Sequence, residues 1–179
     1  MTNQSRDLGA VSRQDGRIGL RYERHLPHPV EKVWRALTES EHLQHWFPAD
    51  LVGERRPGGG LDVRFWPAHV EAYAIDEPVL PGEIRVWDPP KVFEWTWSTD
   101  VLRWELEETG DGTLLTFTTW LGDGESGLVN TATGYHVCLD YLETLLDTGS
   151  TPPLVGVDVA PVEARYTEAV GAGDAVGGP

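Results

Sequence analysis

At 179 residues the chain is long enough for one well-buried core and short for two, so a single domain is expected. Fourteen Lys and Arg against 29 Asp and Glu give a formal charge of −15, which repels polyanionic backbones and anionic headgroups and argues against nucleic acid and membrane surfaces as partners. The single Cys138 excludes an intrachain disulfide and fits a reducing cytoplasm, no Cys or His cluster has metal-ligand spacing, and no apolar run of about 18 residues is present to span a bilayer.

Residues 1–16 are polar and aperiodic, broken by Gly9 and Gly16, and read as a flexible leader before a domain spanning 17–148. In RIGLRYERH, Ile18, Leu20 and Tyr22 alternate with Arg17, Arg21 and Glu23, the period of a strand wet on one face. Pro27 and Pro29 end it, and Pro29 suits the first turn of a helix carrying Val30, Val33, Trp34 and Leu37. A second short helix follows, with Ser40 as its cap and Leu43, Trp46 and Phe47 on its buried side. The exposed Glu31, Glu39 and Glu41 on this helix pair are unsuited to DNA.

From Asp50 to Leu121, alternating segments are separated by turn signals at Pro57-Gly-Gly-Gly60, Pro81-Gly82, Asp88-Pro-Pro90 and Gly110-Asp-Gly112, which predicts an antiparallel meander with one apolar face. On that face fall Leu61, Val63 and Phe65; Ile84 and Val86; Phe93, Trp95 and Trp97; Leu102, Trp104 and Leu106; and Leu115 and Phe117. The register of PAHVEAYAI is open, and a one-residue slip would turn His69 and Glu71 inward. After Gly127 the period lengthens, and Tyr135, Leu139, Leu142 and Leu146 describe a helix of about five turns ending near Asp147. Residues 149–170 form an extension with a short helix over PVEARYTEAV, and 171–179 read as a disordered tail.

The class is therefore α+β, and local motifs refine it. PVEKVWRALTESEHLQHWF, followed by GGGLDVRF, GEIRVWDPPKVFEWTW and GDGTLLTFTTW in that order, resembles the START-like (SRPBCC) superfamily, in the branch related to the heat-shock-chaperone ATPase activator. The resemblance covers roughly residues 17–147. It implies a helix-grip fold, in which a curved antiparallel sheet wraps around a long C-terminal helix, with two short helices after the first strand. It also implies an internal cavity, because such families bind lipids, hormones, polyketides and other apolar molecules, and some members are cyclases.

Large rings on the sheet face leave room for a flat or apolar ligand beside the helix. The residues assigned to that ligand site are Tyr22, Val63, Phe65, Tyr73, Trp95, Trp97, Trp104, Phe117, Thr119, Tyr135, His136 and Leu139. Tyr22, Tyr73, Thr119, Tyr135 and His136 are its polar members, each with the plainer reading of a buried hydrogen-bonding partner. His136 adjoins Tyr135, and one helix face cannot direct both straight inward. No Gly-x-Ser-x-Gly, phosphate-binding or His-Glu-x-x-His motif occurs, so no catalytic residue, metal or cofactor is assigned. The first expectation is a carrier of a small hydrophobic molecule, the second a cyclase-like enzyme using the same cavity, the third a co-chaperone-like interaction module. The Pro57–Gly60 hairpin is expected at the cavity mouth. Trp66 and Trp87 fall on the outward parity of their strands, where exposed rings could support a homodimer.

Overall fold

The structure, a computed structural model, describes the backbone of residues 7–176 and the side chains of residues 7–172. Its eight strands run β1 Ala10–Gln14, β2 Arg17–Leu26, β3 Ala49–Gly53, β4 Gly60–Phe65, β5 Val79–Asp88, β6 Val92–Trp97, β7 Asp100–Thr109 and β8 Gly112–Leu121. They form one curved sheet in the order β1-β2-β8-β7-β6-β5-β4-β3, and every neighbouring pair is antiparallel. Helices α1 Val30–Thr38 and α2 Ser40–Trp46 follow β2, α3 Pro67–Tyr73 lies between β4 and β5, and α4 Leu128–Thr148 and α5 Ala160–Val176 close the chain. This is the expected α+β helix-grip architecture, with α4 along the concave face.

Several local expectations are corrected. The leader is not flexible throughout: residues 10–14 form an edge strand paired with β2 from Ala10↔Arg21 to Gln14↔Arg17. Asp15 and Gly16, at φ 53° and 74°, make the left-handed turn that matches strand twist, so the Asp-Gly pair is a hairpin signal rather than a simple break. Residues 1–6 lie outside those described. Ser40 is not a helix cap; Glu39 takes that position, and the Ser40 hydroxyl donates to Asp50 Oδ1 at 2.6 Å. The segment PAHVEAY is helical, with Pro67 in its first turn. The assigned disordered tail is instead helical as far as Val176, where α5 ends; residues 177–179 lie outside those described.

A bulge in β5 changes the parity of its second half. Ile84 stands opposite Trp95, but Val86 then stands opposite Glu94 and Trp87 opposite Phe93. Val86 is thereby turned away from the core and Trp87 toward it, with ring centroids 5.2 Å from both Trp34 and Phe93. Trp66 is also half-buried and donates its indole N–H to Phe47 O at 2.8 Å. The two rings that suggested a homodimer are thus packed against the core. The Pro57–Gly60 hairpin is fastened to β5 through Gly58 N–H to Ile84 O (2.7 Å) and Ile84 N–H to Gly59 O (2.8 Å), away from the cavity described below.

The centre of the sheet is filled. Trp104 and Phe117 stack at 3.8 Å and 11°, the edge of Tyr135 closes on Phe117 at 5.0 Å, and Trp46 meets Trp104 edge-on at 5.6 Å. Gly149, at φ 78°, ends α4 by returning its N–H to Leu145 O, as a left-handed C-terminal residue does.

Candidate functional site

With the middle occupied by rings, open space remains at one end of the grip. A wide-mouthed cavity of about 290 Å³ lies between α4, the end of β6, α3 and the segment 149–159. Its sheet wall is Trp97, half-buried and backed by Phe65 at 5.4 Å and Phe47 at 5.6 Å. Its helix wall is one stripe of α4, in which Asn130, Thr131, Gly134, Tyr135 and Cys138 recur at the three- and four-residue spacing of a helix face. His69 and Tyr73 of α3 close a third side, their rings 6.0 Å apart.

The fourth side is the strap formed by residues 149–159, which contributes Leu154, Val157 and Val159. Three hydrogen bonds hold it in place: Thr151 Oγ1 to His45 O (2.9 Å), the Tyr141 hydroxyl to Pro153 O (3.2 Å), and Gly156 N–H to the Tyr73 hydroxyl (3.4 Å). The C-terminal extension therefore borders the cavity, a role its Gly- and Pro-rich, aperiodic sequence does not announce.

Gly134 sits midway along α4 on the cavity wall, and a Cβ built there meets nothing within 4 Å. Glycine inside a helix is destabilising by about 0.5–1 kcal/mol relative to alanine. No close approach of a neighbouring element requires it here, so its consequence is the space it leaves.

Burial favours the neutral form of three groups on the wall, Cys138, Tyr135 and His69. Burial raises the Cys138 thiol to about 12, and burial, with Asp100 and Cys138 as smaller influences, raises the Tyr135 hydroxyl well above its usual range. Burial lowers the imidazole of His69, which is 7% exposed and makes no hydrogen bond to any described residue. Its Nδ1 is sealed from solvent, as are the unpartnered indole nitrogens of Trp95 and Trp97.

Of the twelve residues assigned from sequence, Tyr73, Trp97 and Tyr135 line the cavity. Phe65 supports Trp97, whereas Val63, Trp95, Trp104, Phe117, Thr119 and Leu139 are buried in the packed core beneath. Tyr22 donates to Ala132 O at 2.8 Å, and its ring stacks on Phe117. His136 lies on another side of α4. It is fully buried because α5 covers that side, where its Nδ1 meets the Tyr166 hydroxyl at 3.0 Å and its Nε2 lies 3.8 Å from Asp140. Tyr135 and His136 can thus both be buried without sharing a direction.

Among the described residues, hollows of about 350 and 360 Å³ also occur; charged side chains stand on their rims beside apolar ones, Lys32, Arg35 and Asp147 with Leu145 and Leu146 in the first, Arg13, Glu125 and Glu163 with Leu128 and Val129 in the second. Their polar rims make them weaker candidates for an apolar ligand. Glu39, Glu41 and His42 bring ligand atoms within 4.8 Å of one another, but Arg35 already pairs with both carboxylates, at 3.1 and 3.9 Å.

Comparison with known proteins places this geometry. The chain is similar to a conserved protein of unknown function, EF2215, from Enterococcus faecalis, at 21% identity over 92% of this chain and 91% of that one, with a TM-score of 0.74. It is similar to CalU16 from Micromonospora echinospora at 22% identity over 92% and 95% of the two chains, with a TM-score of 0.62. Protein MLL2253 from Mesorhizobium loti gives 24% identity over 72% and 96%, with a TM-score of 0.59. At these identities the likeness is one of fold. No curated protein matches the chain. The sequence model of the family described as Activator of Hsp90 ATPase homolog 1-like protein matches residues 27–147, more than half of the chain, and with the fold above it shows that the chain belongs to that family, within the SRPBCC superfamily.

Proposed function

We propose that the protein binds and carries a small hydrophobic or aromatic molecule in the cavity between Trp97, α3, α4 and the strap. Members of its superfamily are generally ligand binders, and the observation that carries the reading here is Gly134. It is a helix-weakening residue whose missing side chain leaves open space in the wall. At about 290 Å³ the cavity lies at the lower end of the roughly 300–1,000 Å³ typical of small-molecule sites, which suits a compact ring system better than a two-chain lipid.

The cyclase reading finds less support. Among the described residues no carboxylate borders the cavity, and Cys138 and Tyr135 hold their protons far above neutral pH. The interaction-module reading would call for a broad exposed apolar patch, whereas the large exposed apolar side chains among the described residues are Val52, Tyr73 and Val79.

Native mass spectrometry of gently purified protein, followed by denaturing extraction, tests for a co-purifying compound. Gly134→Leu supplies the control: it should fold at least as stably as the parent, improving helix propensity by about 0.5–1 kcal/mol, while its side chain fills the space. Loss of the bound compound in a folded Gly134→Leu protein supports the reading. Retention at parental occupancy rejects it.

A further inference from the structure

We infer that the cavity selects uncharged ligands carrying one hydrogen-bonding group, which His69 meets, and that it rejects carboxylates of the same shape. This rests on the cavity-binding reading above and adds the chemical class of the occupant. Among the described residues, no Lys or Arg borders the cavity. A carboxylate entering it would lose hydration and meet no cation in return, which is the costly way to bury a charge. The surroundings add repulsion: Asp100 acts electrostatically on the Tyr135 hydroxyl, and the chain as a whole carries −15.

His69 is the complementary observation. It is more than nine-tenths buried, borders the cavity, and has no hydrogen-bonding partner for its ring among the described residues. Buried polar side chains nearly always have such a partner, and leaving one without it is destabilising by roughly 1–3 kcal/mol. Nδ1 is sealed away from solvent, whereas Nε2 is not. Nε2 is therefore the nitrogen able to meet a hydroxyl or carbonyl on the occupant. The indole nitrogens of Trp95 and Trp97 are sealed as well and offer no anion-binding N–H at the cavity surface. Apolar contact comes from Trp97 and the strap residues Leu154 and Val157, which places the ring system of the ligand against them and its polar group toward α3.

Equilibrium dialysis with 2-naphthol, 2-naphthoate and methyl 2-naphthoate at pH 7.5 tests this, because the three share one bicyclic skeleton and only the second is an anion. The expected result is binding of the naphthol and the ester, with naphthoate at least about tenfold weaker, equivalent to about 1.4 kcal/mol. His69→Phe, which keeps a ring beside Tyr73, should weaken 2-naphthol several-fold while leaving naphthalene unchanged. Naphthoate binding as tightly as naphthol, with all binding abolished by Gly134→Leu, overturns charge selection and leaves the cavity reading standing. Equal loss of naphthol and naphthalene in His69→Phe overturns the role of the imidazole. Failure of all three probes, or probe binding that survives Gly134→Leu unchanged, overturns the cavity reading and this inference with it.

Discussion

His69 ties the cavity to a measurable pH dependence. Burial lowers its pKa from the ordinary 6.5. Between that lowered value and about 6.5, the unfolded chain binds a proton that the native protein does not, so unfolding free energy rises with pH across the window. The neutral imidazole is tolerated above about 6.5, and stability is lost as the pH falls and the unfolded state gains its proton. Urea midpoints of the parent and His69→Gln at pH 7.5 and 5.5 isolate this contribution, since every other titrating group is common to both. The parent should lose more stability on acidification than the variant, and equal losses would remove His69 as the cause. Cys138, also on the cavity wall, has no comparable effect near neutrality: burial pushes its thiol from about 9 up to about 12, so its coupling to stability begins only as the pH rises through about 9, where the unfolded thiol loses its proton.

At the scale of elements, the strap and α5 work as wall and fastening. Tyr166 on α5 is 1% exposed, accepts the Gly9 N–H at 2.8 Å and meets His136 Nδ1 at 3.0 Å, thereby joining α5 to α4 and to the segment before β1. Tyr166→Phe keeps the ring and removes both contacts, taking from the buried Gly9 N–H its acceptor, so a loss of about 1–3 kcal/mol is expected in denaturant unfolding. Amide exchange in residues 150–159 should accelerate in the same variant, because α5 follows the strap directly. Unchanged exchange there would show that Thr151, Tyr141 and Tyr73 hold the strap unaided. Neither Tyr166 nor the strap was legible from sequence, and the reasons differ. α4 and the inner strands announce themselves because each buries one face and repeats with the period of its element. β1 is an exposed edge with no apolar alternation, and α3 is seven residues, too short for a helical period to emerge. The β5 bulge inverts Val86 and Trp87 by inserting a residue, which no alternation rule contains. The cavity was legible in part as rings: Trp97 on the sheet and Tyr135 on α4 do line it, but most of the other rings stack on one another in the core, and the remaining walls come from Gly134, α3 and the strap.

For the molecule as a whole, the governing quantity is charge. Carboxylates outnumber Lys and Arg by 29 to 14, and some of those cations are committed to backbone carbonyls. Lys32 Nζ donates to Leu146 O near the C-terminus of α4, where a positive charge suits the helix dipole, and Arg55 donates to Thr38 O and Leu51 O. Exposed pairs such as Arg21–Glu23 and Arg64–Asp62 contribute roughly 0–1 kcal/mol each and weaken with salt. The Arg24–Glu143 pair, at 3.2 Å with side chains 6% and 13% exposed, is screened far less. Net repulsion among the surplus carboxylates therefore outweighs the exposed attractions, and screening should stabilise the fold. Raising NaCl from 10 to 150 mM shortens the Debye length from about 30 to about 8 Å, so the melting temperature should rise by about 2–4 °C for each kcal/mol of repulsion removed. A melting temperature that falls over this range would mean that the surface pairs, rather than the excess negative charge, dominate the electrostatics of the folded chain.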